Sequence, residues 1–114
     1  MTDENLDGSG ENRVLDIAAF ILVEKEDGIQ IQVGKKIKLH VSPGLGGFVI
    51  GTVKIDGQVV PVTDMKAKKS GERQKIDKNC YLLLEQRNEG KHIITKGALY
   101  EDTTALLEII GKKL

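Results

Sequence analysis

Cys80 and His92 form the one thiol and imidazole pair from which a nucleophile and its general base could be assembled. Such chemistry needs the base beside the nucleophile and a third group that orients the base. Cys80 begins the apolar run CYLLLE, a position typical of a buried and unreactive thiol. The other histidine, His40, lies beside Lys38 in a strand-like segment, and two histidines without clustered carboxylates or thiols make a poor metal site. The sequence therefore predicts no catalytic residue, no metal site and no cofactor.

The densest run of glycine, from Gly44 to Gly51, raises the question of a phosphate-binding loop. A dinucleotide fingerprint needs G-x-G-x-x-G between a strand and a helix, so that the helix N-terminus meets the pyrophosphate. Gly44 and Gly46 have the right spacing, but Val49 occupies the third glycine position and the residues that follow are strand-like. We therefore predict a turn with a bulge. A nucleotide site is the alternative, and a helix starting just after Gly47 would indicate it.

Lys66 follows an acidic residue in the stretch GQVVPVTDMKA, which is similar to the modified hairpin of biotinyl and lipoyl carrier domains. The spacing is one residue shorter than the biotinyl pattern, and the second half of such a domain is missing. An ordinary solvated lysine is the favoured interpretation.

Basic side chains concentrate between Lys66 and Lys78, where lysines could contact phosphates without reading sequence. The candidate binding residues are Lys66, Lys68, Lys69, Arg73, Lys75 and Tyr81. Lys35, Lys36 and Lys38 could contribute to the same nucleic-acid surface. Single-strand binding usually adds several stacking aromatics, and only Tyr81 is near in sequence. A solvated loop is therefore favoured over a nucleic-acid site.

The composition describes one small domain of 114 residues with equal numbers of acidic and basic side chains, 17 of each. Four of the acids, Asp3, Glu4, Asp7 and Glu11, lie in residues 1–12, which we predict to be a disordered acidic tail. The remainder then carries 13 acids against 17 bases and is mildly basic. A lone cysteine, an acidic start and no long apolar run predict a cytoplasmic protein without membrane insertion.

Alternating apolar residues and turn signals predict a mainly β domain over residues 13–98. Asp27-Gly28 and Asp56-Gly57 are hairpin turn signals, and Pro61 indicates an edge or the end of a strand. Ala18 and Ala19 leave helix and strand in competition over Val14–Glu24, but the alternation that follows favours a strand. The segment Asp64–Asn79 lacks apolar periodicity and is predicted to be a long exposed loop. About six short strands in a small antiparallel barrel or sandwich, OB-like in size, are expected.

The spacing of apolar residues changes to a helical period after Tyr100. Asp102 or Thr103 could cap this helix, and Gly111 with the lysines after it marks its end. A strand through Ala105–Ile110 is the alternative. The helix within residues 99–114 would pack on the barrel or on a partner. Its predicted partner-facing residues are Leu106, Leu107, Ile110 and Leu114.

Two stretches, GTVKIDGQVVPV and IDKNCYLLLEQRNEGKHIITK, resemble the soluble C-terminal barrel of NfeD-like proteins. The matching hairpin residues are Gly51, Val53, Ile55, Asp56 and Gly57. Looser matches are Ile76, Leu82, Leu84, Gly90 and Ile93. The resemblance covers residues 51–96 and implies a five-stranded OB-type barrel that works without catalysis in a protein assembly. The segment 64–75 is longer than in that family, and residues 99–114 have no counterpart in it.

Together these observations favour a non-catalytic protein-binding or assembly module that docks another protein or itself. The alternative is an OB-like nucleic-acid-binding protein that uses the basic segment 66–78.

Overall fold

The computed structural model describes residues 13–42 and 46–113. The predicted tail, residues 1–12, and Leu114 lie outside these residues. Eight elements follow one another along the chain: β1 Arg13–Lys25, β2 Gly28–Val41, β3 Val49–Ile55, β4 Gln58–Asp64, α1 Met65–Ser70, β5 Tyr81–Glu89, β6 His92–Tyr100 and α2 Thr103–Lys113.

The strands form a closed barrel in the order β1-β2-β3-β4-β6-β5, which confirms a small six-strand barrel with a C-terminal helix. The three hairpins and the β2–β3 pair are antiparallel. The barrel closes through two parallel pairs, β4 with β6 and β1 with β5. Parallel neighbours need a crossover connection, and the chain runs from β4 to its parallel neighbour β6 through α1, the segment after it and β5.

The predicted hairpin at Asp56-Gly57 is confirmed by positive φ angles of 51° and 79° at the two turn residues. Two successive left-handed residues match the right-handed twist of paired strands, which is why Asp-Gly is favoured there. The segment Val14–Glu24 is a strand, because both of its edges are paired, with β2 and with β5.

A bulge at Gly34 makes β2 one long strand with two different apolar faces. Phe20 pairs with Val33 and Ala19 with Lys35, so Gly34, at φ 87°, is the extra residue. An extra residue reverses which side chains face the core. Ile37 therefore packs inside the barrel, whereas Ile31 packs on the outer face of the same sheet.

The barrel interior is filled almost entirely by Val, Ile and Leu, since the aromatic residues lie elsewhere. Its fully buried members include Ile17, Leu39, Val53, Val62, Leu82, Leu84 and Leu99. Branched aliphatic side chains fit a pleated surface.

Helix α2 lies on the outer face of the barrel, where Asp102 caps it by accepting a hydrogen bond from Ala105 N at 3.1 Å. Leu106 and Ile110 are buried against Leu22, Leu83 and Tyr100. The prediction that Leu106 and Ile110 face a partner is therefore wrong, because their own barrel covers them. Leu107 is exposed, and Leu114 lies outside the described residues.

The boundary predicted between the barrel and the helical segment falls inside β6, which continues to Tyr100. Leu99 and Tyr100 are buried strand residues that pair with Leu82 and Tyr81. Neither described helix is long and apolar enough to cross a membrane.

The prediction of a long exposed loop over Asp64–Asn79 is wrong in part, because this segment contains α1 and is organised by the buried Asp64, although most of its residues are exposed. Asp64 is fully buried and accepts hydrogen bonds from Ala67 N at 3.0 Å, Gln74 N at 3.1 Å and Gln74 Nε2 at 2.7 Å. The first of these bonds caps α1, which ends at the left-handed Gly71. Gln74 Nε2 also donates to Leu99 O at 2.9 Å. The connection between β4 and β5 is thus anchored to the barrel by buried polar contacts.

Candidate functional site

The contact between β2 and β3 is very short for strands of this length. Only His40 with Thr52 and Val41 with Gly51 are paired in the described part of the chain. Beyond these pairs β2 continues for twelve residues, from Gly28 to Leu39, with β1 as its only strand neighbour among the residues that the structure describes. In the same described ranges, β3 continues from Val53 to Ile55 beside β4 alone. The two strands therefore diverge and leave two open edges that face a common space.

This space is a groove of about 600 Å³, which we call the β2–β3 groove. Its aliphatic floor is formed by Ile21, Ile37 and Ile55, at the edge of the barrel core. Gln32 and Gln86 contribute amide groups, and Gln86 Nε2 donates to Asp56 Oδ2 at 3.5 Å across the groove. The groove can accept a ligand that offers both apolar and polar groups.

The charge of the β2–β3 groove is predominantly positive. Lys35, Lys36, Lys38 and Lys54 line it, against the single carboxylate of Asp56. Lys38 pairs with Asp16 at 3.2 Å, outside the groove lining. The other three lysines make no ion pair within residues 13–42 and 46–113. Three cationic groups therefore remain available to an anionic ligand.

The open edge of β2 presents main-chain groups as well as lysines. Ser42 N donates to Ile50 O at 2.9 Å, so the main-chain groups of Ser42 point toward β3. These groups alternate in direction along a strand. Those of Lys38 and Lys36 therefore also point away from β1 and into the groove.

A second open edge lies on β6. β4 pairs with β6 only from Gly97 to Leu99, which leaves His92–Lys96 with β5 as the only strand neighbour among the described residues. Ile93 and Ile94 are exposed on this segment. The barrel thus offers two strand edges on its longer hairpins.

The basic segment predicted from the sequence lies elsewhere, at the α1 end of the barrel. Lys66 pairs with Glu101 at 3.3 Å. The other predicted basic residues of this segment are exposed, namely Lys68, Lys69, Arg73 and Lys75. The structure does not join them to Lys35, Lys36 and Lys38, which belong to the β2–β3 groove. The predicted surface is thereby divided into two separate basic areas.

Tyr81, the aromatic residue predicted for the basic surface, packs under α2. Its ring lies edge-on to Phe20, with centroids 6.3 Å apart, in the apolar cluster under α2. Its ring is half-buried there and contributes to the packing of α2 on the barrel.

The glycine-rich segment is a turn in its described part, as predicted. Gly46 and Gly47 have φ angles of 95° and 57°, and β3 begins at Val49, so a strand follows where a nucleotide loop would need a helix. Gly44 lies outside the described residues. Lys66 lies in α1 rather than on a hairpin turn, which removes the geometric basis of the carrier-domain interpretation.

The residues considered for catalysis lie apart. Cys80 precedes the start of β5, whereas His92 begins β6 opposite Glu89, at the other end of the same hairpin. Within the described ranges, no group of three or more His, Cys, Asp or Glu side chains could hold a metal ion.

Cys80 is buried, and its thiol donates to Lys75 O at 3.2 Å. Burial raises the pKa of the Cys80 thiol; a hydrogen bond with the backbone of Asp77 lowers it in part, but the net shift is upward and keeps the reactive thiolate scarce at neutral pH. We expect iodoacetamide at pH 7.5 to label Cys80 about 100-fold more slowly in the native chain than in denaturant. Because the folded pKa is raised, the stability that the neutral thiol contributes should decline as pH rises above the ordinary cysteine value. Equal labelling rates, measured by mass spectrometry, would contradict this assignment.

Comparison of the chain with protein-family models, with curated proteins and with solved structures finds no match in any of the three.

Sequence reasoning missed the β2–β3 groove as a unit, although it named Lys35, Lys36 and Lys38 individually. The available signal was the lysine-rich stretch GKKIK, which begins with a glycine inside a strand. An interior glycine can mark a bulge, and lysines are typical of an exposed strand edge. The sequence could not assign Lys54 to this groove, because Lys54 lines it only through the way β2 and β3 diverge in the folded chain.

Proposed function

We propose that this chain is a non-catalytic protein-binding or assembly module built on a small barrel. The observation that carries the proposal is the pair of open strand edges, on β2 and on β6, beside exposed apolar side chains. An open edge presents unpaired main-chain donors and acceptors, and proteins use such edges to add a strand from a partner.

The closed barrel supports this role by holding both edges in place. β1 and β5 pair along seven residues between the two outer strands, and α2 covers the outer face of this sheet. A rigid platform reduces the entropy lost when a partner docks.

Photo-crosslinking in cells that encode the chain tests the proposal. Benzoylphenylalanine placed at Lys36 on β2 or at Ile94 on β6 should give discrete covalent adducts with another protein or a second copy. The same group placed at Lys69 on α1 serves as the matched control and should give none. If neither edge gives an adduct with a protein, the proposed function is refuted.

Nucleic-acid binding is the second candidate, and the lysines of the β2–β3 groove favour it. The strand order without β1, namely β2-β3-β4-β6-β5 with α1 before β5, is that of an OB-type barrel, a fold that often binds oligonucleotides. A gel-shift titration with single-stranded DNA should then show binding that weakens steeply with salt. Failure to bind at low ionic strength would eliminate this candidate.

A further inference from the structure

We infer that the β2–β3 groove binds an extended acidic segment of a partner protein, which pairs as an additional strand with the open edge of β2. This inference rests on the proposed protein-binding function and specifies its site and the chemistry of its partner.

Geometry supports a strand as the ligand. The groove runs along β2 where Lys36 and Lys38 direct their main-chain groups away from β1, and its far wall is the open edge of β3. A strand inserted here finds main-chain donors and acceptors on at least one side. Its alternate side chains would reach the aliphatic floor of Ile21, Ile37 and Ile55.

Charge selects the partner's sequence. Lys35, Lys36 and Lys54 line the groove without ion pairs in the described ranges. A neutral or basic strand would leave these charges uncompensated, whereas glutamate or aspartate at alternate positions would neutralise them. Opposite charges on neighbouring strands stabilise pairing.

The same lysines disfavour a second copy of this chain at the β2 edge. An antiparallel pairing of two β2 edges centred on Lys36 would place the Lys36 side chains of the two copies opposite each other. Like charges facing one another across strands are destabilising, and edge lysines are a common protection against self-pairing.

The composition of the groove disfavours single-stranded nucleic acid. Its lining contains isoleucine, glutamine, charged side chains and His40, but no phenylalanine, tyrosine or tryptophan among the residues the structure describes. Binding of single strands draws much of its affinity from bases stacked on aromatic rings. The aliphatic floor fits the side chains of a polypeptide instead.

The probe for this inference is a capped eight-residue peptide of alternating glutamate and valine, titrated into the full-length chain and followed by NMR. Shifts should concentrate at the amides of residues 32–40 and 53–56. A glutamate–proline peptide of equal charge cannot add a strand and should bind about 10-fold more weakly. Equal affinities for the two peptides would overturn the inference, because charge alone would then explain binding.

Variants of β2 separate main-chain pairing from charge. Lys36→Pro removes a main-chain donor that faces the groove and should weaken binding of the glutamate–valine peptide about 10-fold more than Lys36→Ala does. The double change Lys35→Glu with Lys36→Glu should abolish binding and tests the charge requirement, and the glutamate–proline peptide carries the test of main-chain pairing if Lys36→Pro does not fold. The same reversal at Lys68 and Lys69 on α1 is the matched control and should change affinity less than about 2-fold.

Three outcomes distinguish a failure of this inference from a failure of the proposed protein-binding function. Tighter binding of oligodeoxythymidylate than of the peptide, with shifts at the same residues, would refute the inference in favour of nucleic acid. Crosslinks to a partner from Ile94 but not from Lys36 would refute the inference and keep the protein-binding function. Crosslinks from neither edge would refute both.

Discussion

Replacing Asp64 with alanine should lower the free energy of unfolding by about 3 kcal/mol, because three N–H groups would lose their buried acceptor. The groups are the main-chain amides of Ala67 and Gln74 and the side-chain amide of Gln74. Asp64 and Gln74 are both buried, so water cannot readily replace the carboxylate. Urea unfolding followed by circular dichroism measures the change.

Asp16→Ala is the matched control for this change. Asp16 is also on a strand and accepts a bond from Lys38, but both side chains are more than half exposed. Its replacement should therefore cost less than about 0.5 kcal/mol. Asp64→Asn, which keeps one acceptor, should lie between the two alanine variants. If Asp64→Ala costs no more than Asp16→Ala, the buried network is not what anchors the segment between β4 and β5.

Replacing Gly51 with alanine should destabilise the barrel by about 3 kcal/mol, because β2 and β3 meet too closely to admit a methyl group. A Cβ atom at residue 51 would lie 2.3 Å from His40 O and 3.1 Å from Val41 Cα. Both are backbone atoms, which cannot rotate aside. Since β2 and β3 are joined, among the described residues, by only two residue pairs and the hydrogen bond from Ser42 N to Ile50 O, the added methyl group would separate the strands at this short junction.

Gly111→Ala is the matched control, because no atom outside its chain neighbours and the nearby backbone of its own helix lies within 4 Å of the position its Cβ would take. Gly111 lies inside α2, where alanine is favoured over glycine by about 1 kcal/mol, so this variant should be more stable than the parent chain. Thermal unfolding of both variants tests the contrast. A Gly51→Ala chain as stable as the parent would contradict the close approach of the strands.

The Gly51 variant also bears on the proposed site. The junction at His40 and Val41 holds the closed end of the β2–β3 groove, and the groove opens where pairing stops. Separation of the strands at this junction should therefore weaken the binding of the glutamate–valine peptide, even where the chain stays folded. The structural role of Gly51 and the function of the groove are thus linked through the same short contact.

Local chemistry was sufficient to predict much of the barrel from the sequence. The Asp56-Gly57 turn follows from the ease with which these two residue types adopt positive φ. The alternation of Ile37, Leu39 and Val41 follows from the period of a strand with one buried face. The helical spacing after Tyr100 likewise located α2, although only its packing shows that Leu106 and Ile110 face the barrel.

Long-range contacts decided the rest. The sequence shows apolar residues at odd positions on both sides of Gly34, which reads as one continuous face. The pairing with β1 inserts Gly34 as a bulge, so Ile31 and Ile37 lie on opposite sides of the sheet. A bulge is defined by the partner strand, and the order of residues in one strand does not specify it.

Long-range contacts also explain why the sequence did not predict the structure of the segment after β4 or the β2–β3 groove. Asp64 is a helix cap by residue type, but its burial depends on Gln74, which is ten positions away and is held by Leu99 of β6. Lys36 and Lys54 line one groove because β2 and β3 diverge after two residue pairs. Strand alternation and turns are local properties of the chain, whereas edges, grooves and buried polar contacts exist only once distant segments have packed.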